Sequence, residues 1–208
     1  MGTLFRYACF ISYRHGGQPA TQRFYEAFRR ELAAQVDLWL PGMDVYLDSE
    51  RVRGGDFFNR ELASALCSSV CMVMLFNPRY FDTSNPYAAR EYRAMVALEQ
   101  QRLSLLPAAG IGRGLIIPIV IRGTLPDAIS GQRHAYSMDY VAAEDLRTSR
   151  ARQALKRVAE DIYNRHEAFR SAVGDPFAVC EDFEFPSESD IWEWLAGLTA
   201  PSSKIPWR

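Results

Sequence analysis

The sequence predicts an α/β fold in which a parallel sheet of about five strands has helices on both faces. Apolar runs typical of strands alternate along the chain with segments whose apolar residues recur at helical spacing. The run at 70–76, VCMVMLF, has no polar member. Such a run is typical of a central strand that helices cover on both sides.

The first half of the chain supplies three strands and two helices. Residues 6–13 form an aromatic and β-branched run that predicts the first strand, and residues 44–48 predict the second. Residues 21–36 and 57–68 carry apolar side chains at helical spacing, so we expect an amphipathic helix after each of these strands. The third strand is the central one at 70–76.

A further helix and two strands follow the central strand. The helix carries Glu91 and ends near Leu103, and the apolar run at 114–121 predicts a fourth strand. Pro118 lies inside that run, and since proline cannot donate to a ladder we expect local irregularity there. Residues 136–140 are a candidate last strand. Short loops join these elements, which predicts right-handed crossovers and a flavodoxin-like strand order.

The C-terminal part is predicted to be helical. Residues 148–170 form a long, highly charged segment with apolar residues at helical spacing, and a second short helix is expected near 191–198. We therefore divide the chain into a domain over 1–145 and a helical extension over 146–208 that packs on the same domain.

Composition and charge exclude several classes of protein. The chain has 24 Lys plus Arg against 25 Asp plus Glu and 48% hydrophobic residues, so it folds and lacks the basic bias of nucleic-acid binders. It has no basic-then-apolar leader and no apolar run near the roughly 20 residues of a membrane span. We expect a cytoplasmic protein without a membrane or direct nucleic-acid partner.

The four cysteines, Cys9, Cys67, Cys71 and Cys180, lie in or beside apolar runs and form no CxxC pair. No histidine near Cys67 and Cys71 completes a zinc site, so we expect no metal. The sequence predicts buried free thiols in a reducing compartment.

Glu91 is the candidate catalytic residue. It lies in an amphipathic helix that follows an apolar strand and a polar loop. Ligands of parallel sheets bind beyond the carboxyl ends of the strands, so a carboxylate one turn into the next helix can face a bound molecule. The alternative is a surface glutamate near a helix N-terminus, where negative charge is mildly stabilising.

Three segments together resemble the Toll/interleukin-1 receptor (TIR) domain, over about residues 5–145. FISYRH at 10–15 resembles the first box of the family, and DSERVRGGDF at 48–57 resembles its second box. Tyr87 precedes Glu91 by four residues, as an aromatic or small residue precedes the catalytic glutamate in NAD-cleaving members. The chain departs from the pattern at Tyr87, where many active members carry Trp or Cys.

The resemblance implies that the chain cleaves the nicotinamide–ribose bond of NAD+, which is then a substrate and not a cofactor. Nicotinamide leaves NAD+ as a cationic group, so one carboxylate beside the oxocarbenium-like ribose suffices without a general acid. The products are nicotinamide and ADP-ribose or a cyclic isomer. The chain also resembles TIR proteins of prokaryotic antiviral systems, which implies an upstream activator or a downstream effector.

Five further residues are expected around NAD+ from the same resemblance. Phe57 stacks on the nicotinamide ring or is a core aromatic, and an aromatic face suits a cationic ring. Arg14 contacts a phosphate or the ribose, or makes a surface ion pair. Asp48 caps the glycine-containing loop or orients Arg14, Ser12 supports the end of the strand, and Tyr87 lies one turn before the glutamate.

Two other functions remain open at this level. A signalling scaffold would use the same fold for TIR–TIR assembly without turnover, and the loop at 49–57 is the expected surface of self-association in both cases. A deoxyribosyltransferase-like enzyme would need a second acidic residue and a substrate-binding amide, which are not evident. Glu91 discriminates between enzyme and scaffold, because a pure scaffold does not need a carboxylate there.

Overall fold

A computed structural model describes most of the chain. The described ranges are 5–14, 18–48, 56–106, 114–139, 146–172, 174–180 and 183–199. Residues 56–59, 179 and 199 are described by their backbone alone. None of the helices in these ranges combines the length and the apolar character that a membrane span requires.

Five parallel strands form one sheet in the order β2-β1-β3-β4-β5. The strands are β1 (Tyr7–Tyr13), β2 (Asp44–Leu47), β3 (Ser69–Phe76), β4 (Ile116–Val120) and β5 (Tyr136–Ser137). All residues of β3 are buried, and β3 is the middle strand, with two strands on each side of it. The predicted flavodoxin-like order and the central place of this strand are confirmed.

Helices cover both faces of the sheet, as the sequence predicts. They are α1 (Pro19–Asp37), α2 (Asp56–Cys67), α3 (Tyr87–Leu103), α4 (Asp127–Ser130), α5 (Ser149–Arg170) and α6 (Glu188–Thr199). α1 and α5 contact each other, as do α2 and α3, and α6 packs on α3. α4 has four residues, too few to show a helical period, so the sequence did not predict it.

Pro118 does not disturb the sheet. It pairs with Met74 in an unbroken β3–β4 register, so the expected irregularity is absent. The amide of Met138 donates to the carbonyl of Val120 at 2.8 Å, so the backbone groups of Val120 point towards β5. Pro118 lies two residues earlier, and its backbone therefore faces the same side. β5 pairs only with Ile119 and Val120, and the missing N–H of Pro118 therefore falls before β5 begins.

The long helix α5 belongs to the main core. Leu155, Val158, Ile162 and Phe169 are at most 2% exposed, as their helical spacing predicts. The hydroxyl of Thr148 accepts the amide of Ala151 at 3.2 Å and caps the first turn. α5 contacts α1, β1 and β3, so it closes one face of the sheet.

The prediction of four free thiols is wrong for two of the cysteines. Cys67 and Cys180 form a disulfide, whereas Cys9 and Cys71 are buried free thiols as predicted. The two bonded residues are 113 positions apart, with no CxxC spacing to indicate the pair. Because disulfides form in oxidising environments, the cysteines no longer support the reducing compartment that the sequence suggested.

Arg102 joins the C-terminal segment to the sheet beside this disulfide. Its side chain is fully buried and donates to the carbonyl oxygens of Pro176 and Ser69, both at 3.1 Å, and to that of Cys67. Burial lowers the pKa of the guanidinium to about 10. The fold thus brings Cys67 and Cys180 together through contacts that no local pattern encodes.

Candidate active site

The residues of the candidate site lie along the carboxyl edge of the sheet. Ser12 and Tyr13 are the last residues of β1, and Asp48 follows β2 directly. The loop at 77–86 follows β3 and leads into α3, which carries Glu91 in its second turn. Since all strands are parallel, their carboxyl ends meet at one edge, where α/β sheets bind their ligands.

Glu91 is buried against the end of β1. Its side chain belongs to a residue that is 1% exposed, and its Oε2 accepts a hydrogen bond from Ser12 Oγ at 2.5 Å. Met95 and Leu98, one and two turns later, are fully buried on the same side of the helix. The alternative of a surface glutamate is therefore wrong, because α3 turns this carboxylate towards the sheet.

Tyr80 completes a buried hydrogen-bond chain that the sequence analysis missed. Its hydroxyl lies 2.5 Å from Ser12 Oγ, and both residues are fully buried. When Ser12 donates its single hydroxyl proton to the ionised Glu91 carboxylate, the Tyr80 hydroxyl donates to Ser12. The one hint in the sequence is an aromatic pair, Tyr80 and Phe81, inside an otherwise polar loop.

Burial dominates the electrostatics of Glu91. It raises the pKa of the carboxyl from 4.5 to about 8. The hydrogen bond from Ser12 and the charge of Arg90 lower that pKa, and the charge of Asp48 raises it. At neutral pH the protonated acid predominates in the free protein, and a cation bound nearby would favour the carboxylate.

Arg14 makes an ion pair beyond the end of β1. Its Nη2 lies 3.0 Å from Asp82 Oδ2, and the side chains of Arg14 and Asp82 are 10% and 20% exposed. Hydrogen bonds from Ser84, and others from Arg79 and Arg14, hold the pKa of the Asp82 carboxyl well below its usual range. The ion pair expected as the alternative role of Arg14 is present, although little of its side chain reaches the surface.

Tyr13 and Asp48 link the ends of the first two strands. The Tyr13 hydroxyl donates to the backbone carbonyl of Asp48 at 2.5 Å, and its ring lies 4.3 Å from that of Tyr25. Asp48 is 6% exposed. These contacts fix the point at which the chain enters the second-box segment.

The remaining predicted residues are less completely described. Tyr87 is the first residue of α3, one turn before Glu91, and is 40% exposed. Phe57 belongs to the first turn of α2, but its side chain lies outside the described residues, as does the whole of 49–55. The structure thus joins Ser12 to Glu91 and brings Arg14 to the loop after β3.

Residues 9–157 match the family model of the TIR domain. The matched range runs from β1 into α5 and includes Ser12, Arg14 and Glu91. No curated protein matches the chain. Since the family model covers well over half of the sequence and the sheet has the predicted order, the chain belongs to the TIR domain family.

Proposed function

We propose that this TIR domain chain is an NAD+ glycohydrolase or cyclase. The observation that supports the proposal is the placement of Glu91, a buried carboxyl group at the carboxyl edge of the sheet, held by Ser12 at 2.5 Å. A buried ionisable group with a raised pKa is expensive for a fold, and such groups cluster at functional sites. The TIR family includes NAD-cleaving members, and Glu91, four residues after Tyr87, resembles their catalytic glutamate.

The proposed reaction breaks the bond between ribose C1′ and the nicotinamide nitrogen. The bonding electrons go to the nicotinamide, which leaves as a neutral molecule, and positive charge grows on the ribose. The Glu91 carboxylate stabilises that charge, and its dry surroundings make the attraction stronger than in water. Water then adds its oxygen to C1′ and releases a proton, or a nucleophile within the same molecule closes a ring.

The raised pKa of Glu91 fits a site that binds a cation. Free protein at neutral pH holds mostly the neutral acid, because the pKa is about 8. The positive nicotinamide ring of NAD+ favours ionisation of a carboxyl group close to it. Substrate would then help to generate the charged form that the reaction needs.

Other contacts to NAD+ are proposed from the resemblance. Arg14 pairs with Asp82 beyond the end of β1, and its guanidinium would contact a phosphate or the ribose of NAD+. Phe57 and Tyr87 would lie against the nicotinamide-ribose end, and Asp48 would support the second-box loop. We also propose self-association through 49–57 and a role in antiviral defence or immune-type signalling.

A non-catalytic TIR scaffold is the second candidate, and one observation favours it. Glu91 is 1% exposed and its carboxyl group is already hydrogen-bonded within the protein. A carboxyl group sealed in this way could hold α3 on the sheet without meeting a ligand. Catalysis would require NAD+, or a neighbouring subunit, to open a path to it.

Incubation with NAD+ and chromatographic separation of the products distinguishes the two candidates. The wild type, tested over rising concentration and also clustered on a support, should release nicotinamide together with ADP-ribose or a cyclic isomer. Glu91→Gln should release none while keeping its circular dichroism spectrum. A wild type that assembles but leaves NAD+ intact under all these conditions would favour the scaffold.

A further inference from the structure

The helix α6 places Trp194 on the helix that carries Glu91. Ile191 and Leu195, three residues before and one after Trp194, are at most 1% exposed and form a small core with Ala89 of α3. α6 packs on α3 along this core. The whole of α6 lies outside the residues that match the TIR family model.

Trp194 is one of three rings that contact each other, here called the aromatic cluster (Phe81, Tyr92 and Trp194). Trp194 stacks on Tyr92 with ring centroids 5.7 Å apart and an angle of 22°. Phe81 meets Trp194 at 5.4 Å and Tyr92 at 5.6 Å, both edge to face. Each ring is therefore held by the two others, and moving one disturbs the cluster.

The aromatic cluster reaches Glu91 by two routes. Tyr92 follows Glu91 directly in α3, so its stack on Trp194 fixes the rotation of the helix at that point. Phe81 follows Tyr80 and contacts its ring at 4.8 Å. The Tyr80 hydroxyl in turn bonds Ser12, which donates to Glu91.

Two arginines contact rings of the aromatic cluster. The guanidinium of Arg93 lies 5.5 Å from the centroid of Trp194, and that of Arg133 lies 5.8 Å from the centroid of Tyr92. Arg133 is itself fixed by an ion pair with Glu99 at 2.5 Å. These cations favour the orientation in which the rings face them, which keeps the cluster in one arrangement.

We propose that Trp194 is a positioning residue of the Glu91 site, holding Tyr92 and Phe81 and, through them, the hydrogen-bond chain from Tyr80 through Ser12 to Glu91. Its importance for catalysis rests on the proposed function. Its effect on the Glu91 carboxyl group does not, because that group titrates with or without NAD+.

Among the described residues, several ionisable groups interact electrostatically with Glu91, and the variants below alter none of them. They are Tyr13 of β1, Tyr46 of β2, Asp48 after β2, Tyr80 after β3 and Arg90 of α3. A change in the titration of Glu91 would therefore report its hydration and position, since these ionisable neighbours stay the same.

The test is the pH midpoint of the Glu91 carboxyl carbon, followed by nuclear magnetic resonance in protein labelled at glutamate and without NAD+. Glu91→Gln identifies the signal. Trp194→Leu keeps an apolar side chain on α3 but removes the stack, so water should reach the carboxyl group and lower its midpoint by about one pH unit or more. Trp192→Leu is the matched control, because Trp192 lies on the same helix, is 42% exposed, and should leave the midpoint unchanged.

Phe81→Leu interrupts the second route and should also lower the midpoint, so it provides the test if Trp194→Leu does not fold. If folded Trp194→Leu keeps the wild-type midpoint, the proposal is overturned. Where Trp194→Leu does not fold, a wild-type midpoint in Phe81→Leu overturns it. An equal shift of the midpoint in Trp192→Leu would also overturn it. If the wild type cleaves no NAD+ while Trp194→Leu shifts the midpoint and Trp192→Leu does not, the proposed function fails and the positioning role stands.

Discussion

Ser12 Oγ lies 2.5 Å from Glu91 Oε2, so a buried hydrogen bond joins the end of β1 to the second turn of α3. Both residues are at most 1% exposed. This bond stabilises the ionised carboxylate, and it sets the position of the one acidic side chain on which the proposed chemistry depends.

Ser12→Ala is predicted to move the pH dependence of NAD+ cleavage upwards. The variant loses the hydrogen bond that lowers the pKa of Glu91, so that pKa should rise above about 8 and kcat/KM at pH 7 should fall. Unfolding by urea should also show a loss of about 1–3 kcal/mol for the buried bond. The pH profile of kcat/KM measures the first effect.

Ser69→Ala is the matched control for this variant. Ser69 is also fully buried, but it is the first residue of β3, at the end of the sheet opposite to Ser12. Its hydroxyl donates to the Ala65 carbonyl at 2.8 Å. Ser69→Ala should lower the free energy of unfolding by a similar amount without moving the pH profile of kcat/KM. If both variants move the profile equally, the hydrogen bond to Glu91 has no special role.

The wild type is predicted to cleave NAD+ faster as the pH rises to a plateau above about 8. The reaction needs the carboxylate form, and kcat/KM reports the pKa of the free enzyme. We expect kcat/KM to increase about tenfold per pH unit well below that pKa. A flat profile between pH 6 and 9 would show that the ionisation of Glu91 does not limit the reaction.

Glu91→Gln is predicted to be more stable than the wild type at high pH. The folded state holds the Glu91 proton more tightly than the unfolded state, whose pKa is the ordinary 4.5. The contribution of this group to stability is therefore fully present below pH 4.5 and is lost as the pH rises through about 8. The free energy of unfolding falls over this range by on the order of a few kcal/mol. Urea unfolding of both proteins at pH 5 and 9 should show a difference that grows with pH, and a constant difference would contradict the burial of an ionisable Glu91.

The disulfide gives a prediction that does not depend on NAD+. Protein denatured without reductant should react with two equivalents of alkylating reagent, at Cys9 and Cys71, and with four after reduction. The double variant Cys67→Ser, Cys180→Ser should lose about 2–5 kcal/mol of stability, because the bridge closes a long loop of the unfolded chain. Four reactive thiols in unreduced protein would exclude the bridge.

Regular patterns made most of the fold predictable. The apolar run of β3 predicted a central strand, and the helical spacing of Leu155, Val158 and Ile162 predicted the buried side of α5. Both predictions rest on apolar residues that recur regularly along the sequence, because these residues are the buried ones. The pairing of Cys67 with Cys180 was not predictable, because it depends on tertiary contacts between distant segments.

The candidate site was predictable in part. The position of Glu91 after the central strand indicated a carboxylate at the ligand-binding edge, but only the packing of α3 decides that this carboxyl group faces Ser12 and not solvent. Tyr80 has no periodic neighbours, so the sequence could not assign its hydroxyl to Ser12. The contacts of Trp194 depend on how α6 docks, which no pattern within α6 specifies.

The proposed NAD+ cleavage depends on the carboxylate of Glu91. Nicotinamide release by wild type, Glu91→Gln and Asp161→Asn, at pH 8.5 and equal concentrations of folded protein, shows whether that group is required. Asp161 is the control because it is a buried carboxylate on α5, outside the aromatic cluster and its two arginines, and accepts a hydrogen bond from the Tyr136 hydroxyl at 2.7 Å. We predict that Glu91→Gln is slower by roughly 100-fold or more while Asp161→Asn stays near the wild type. Equal rates for Glu91→Gln and the wild type would show that the Glu91 carboxylate is not required.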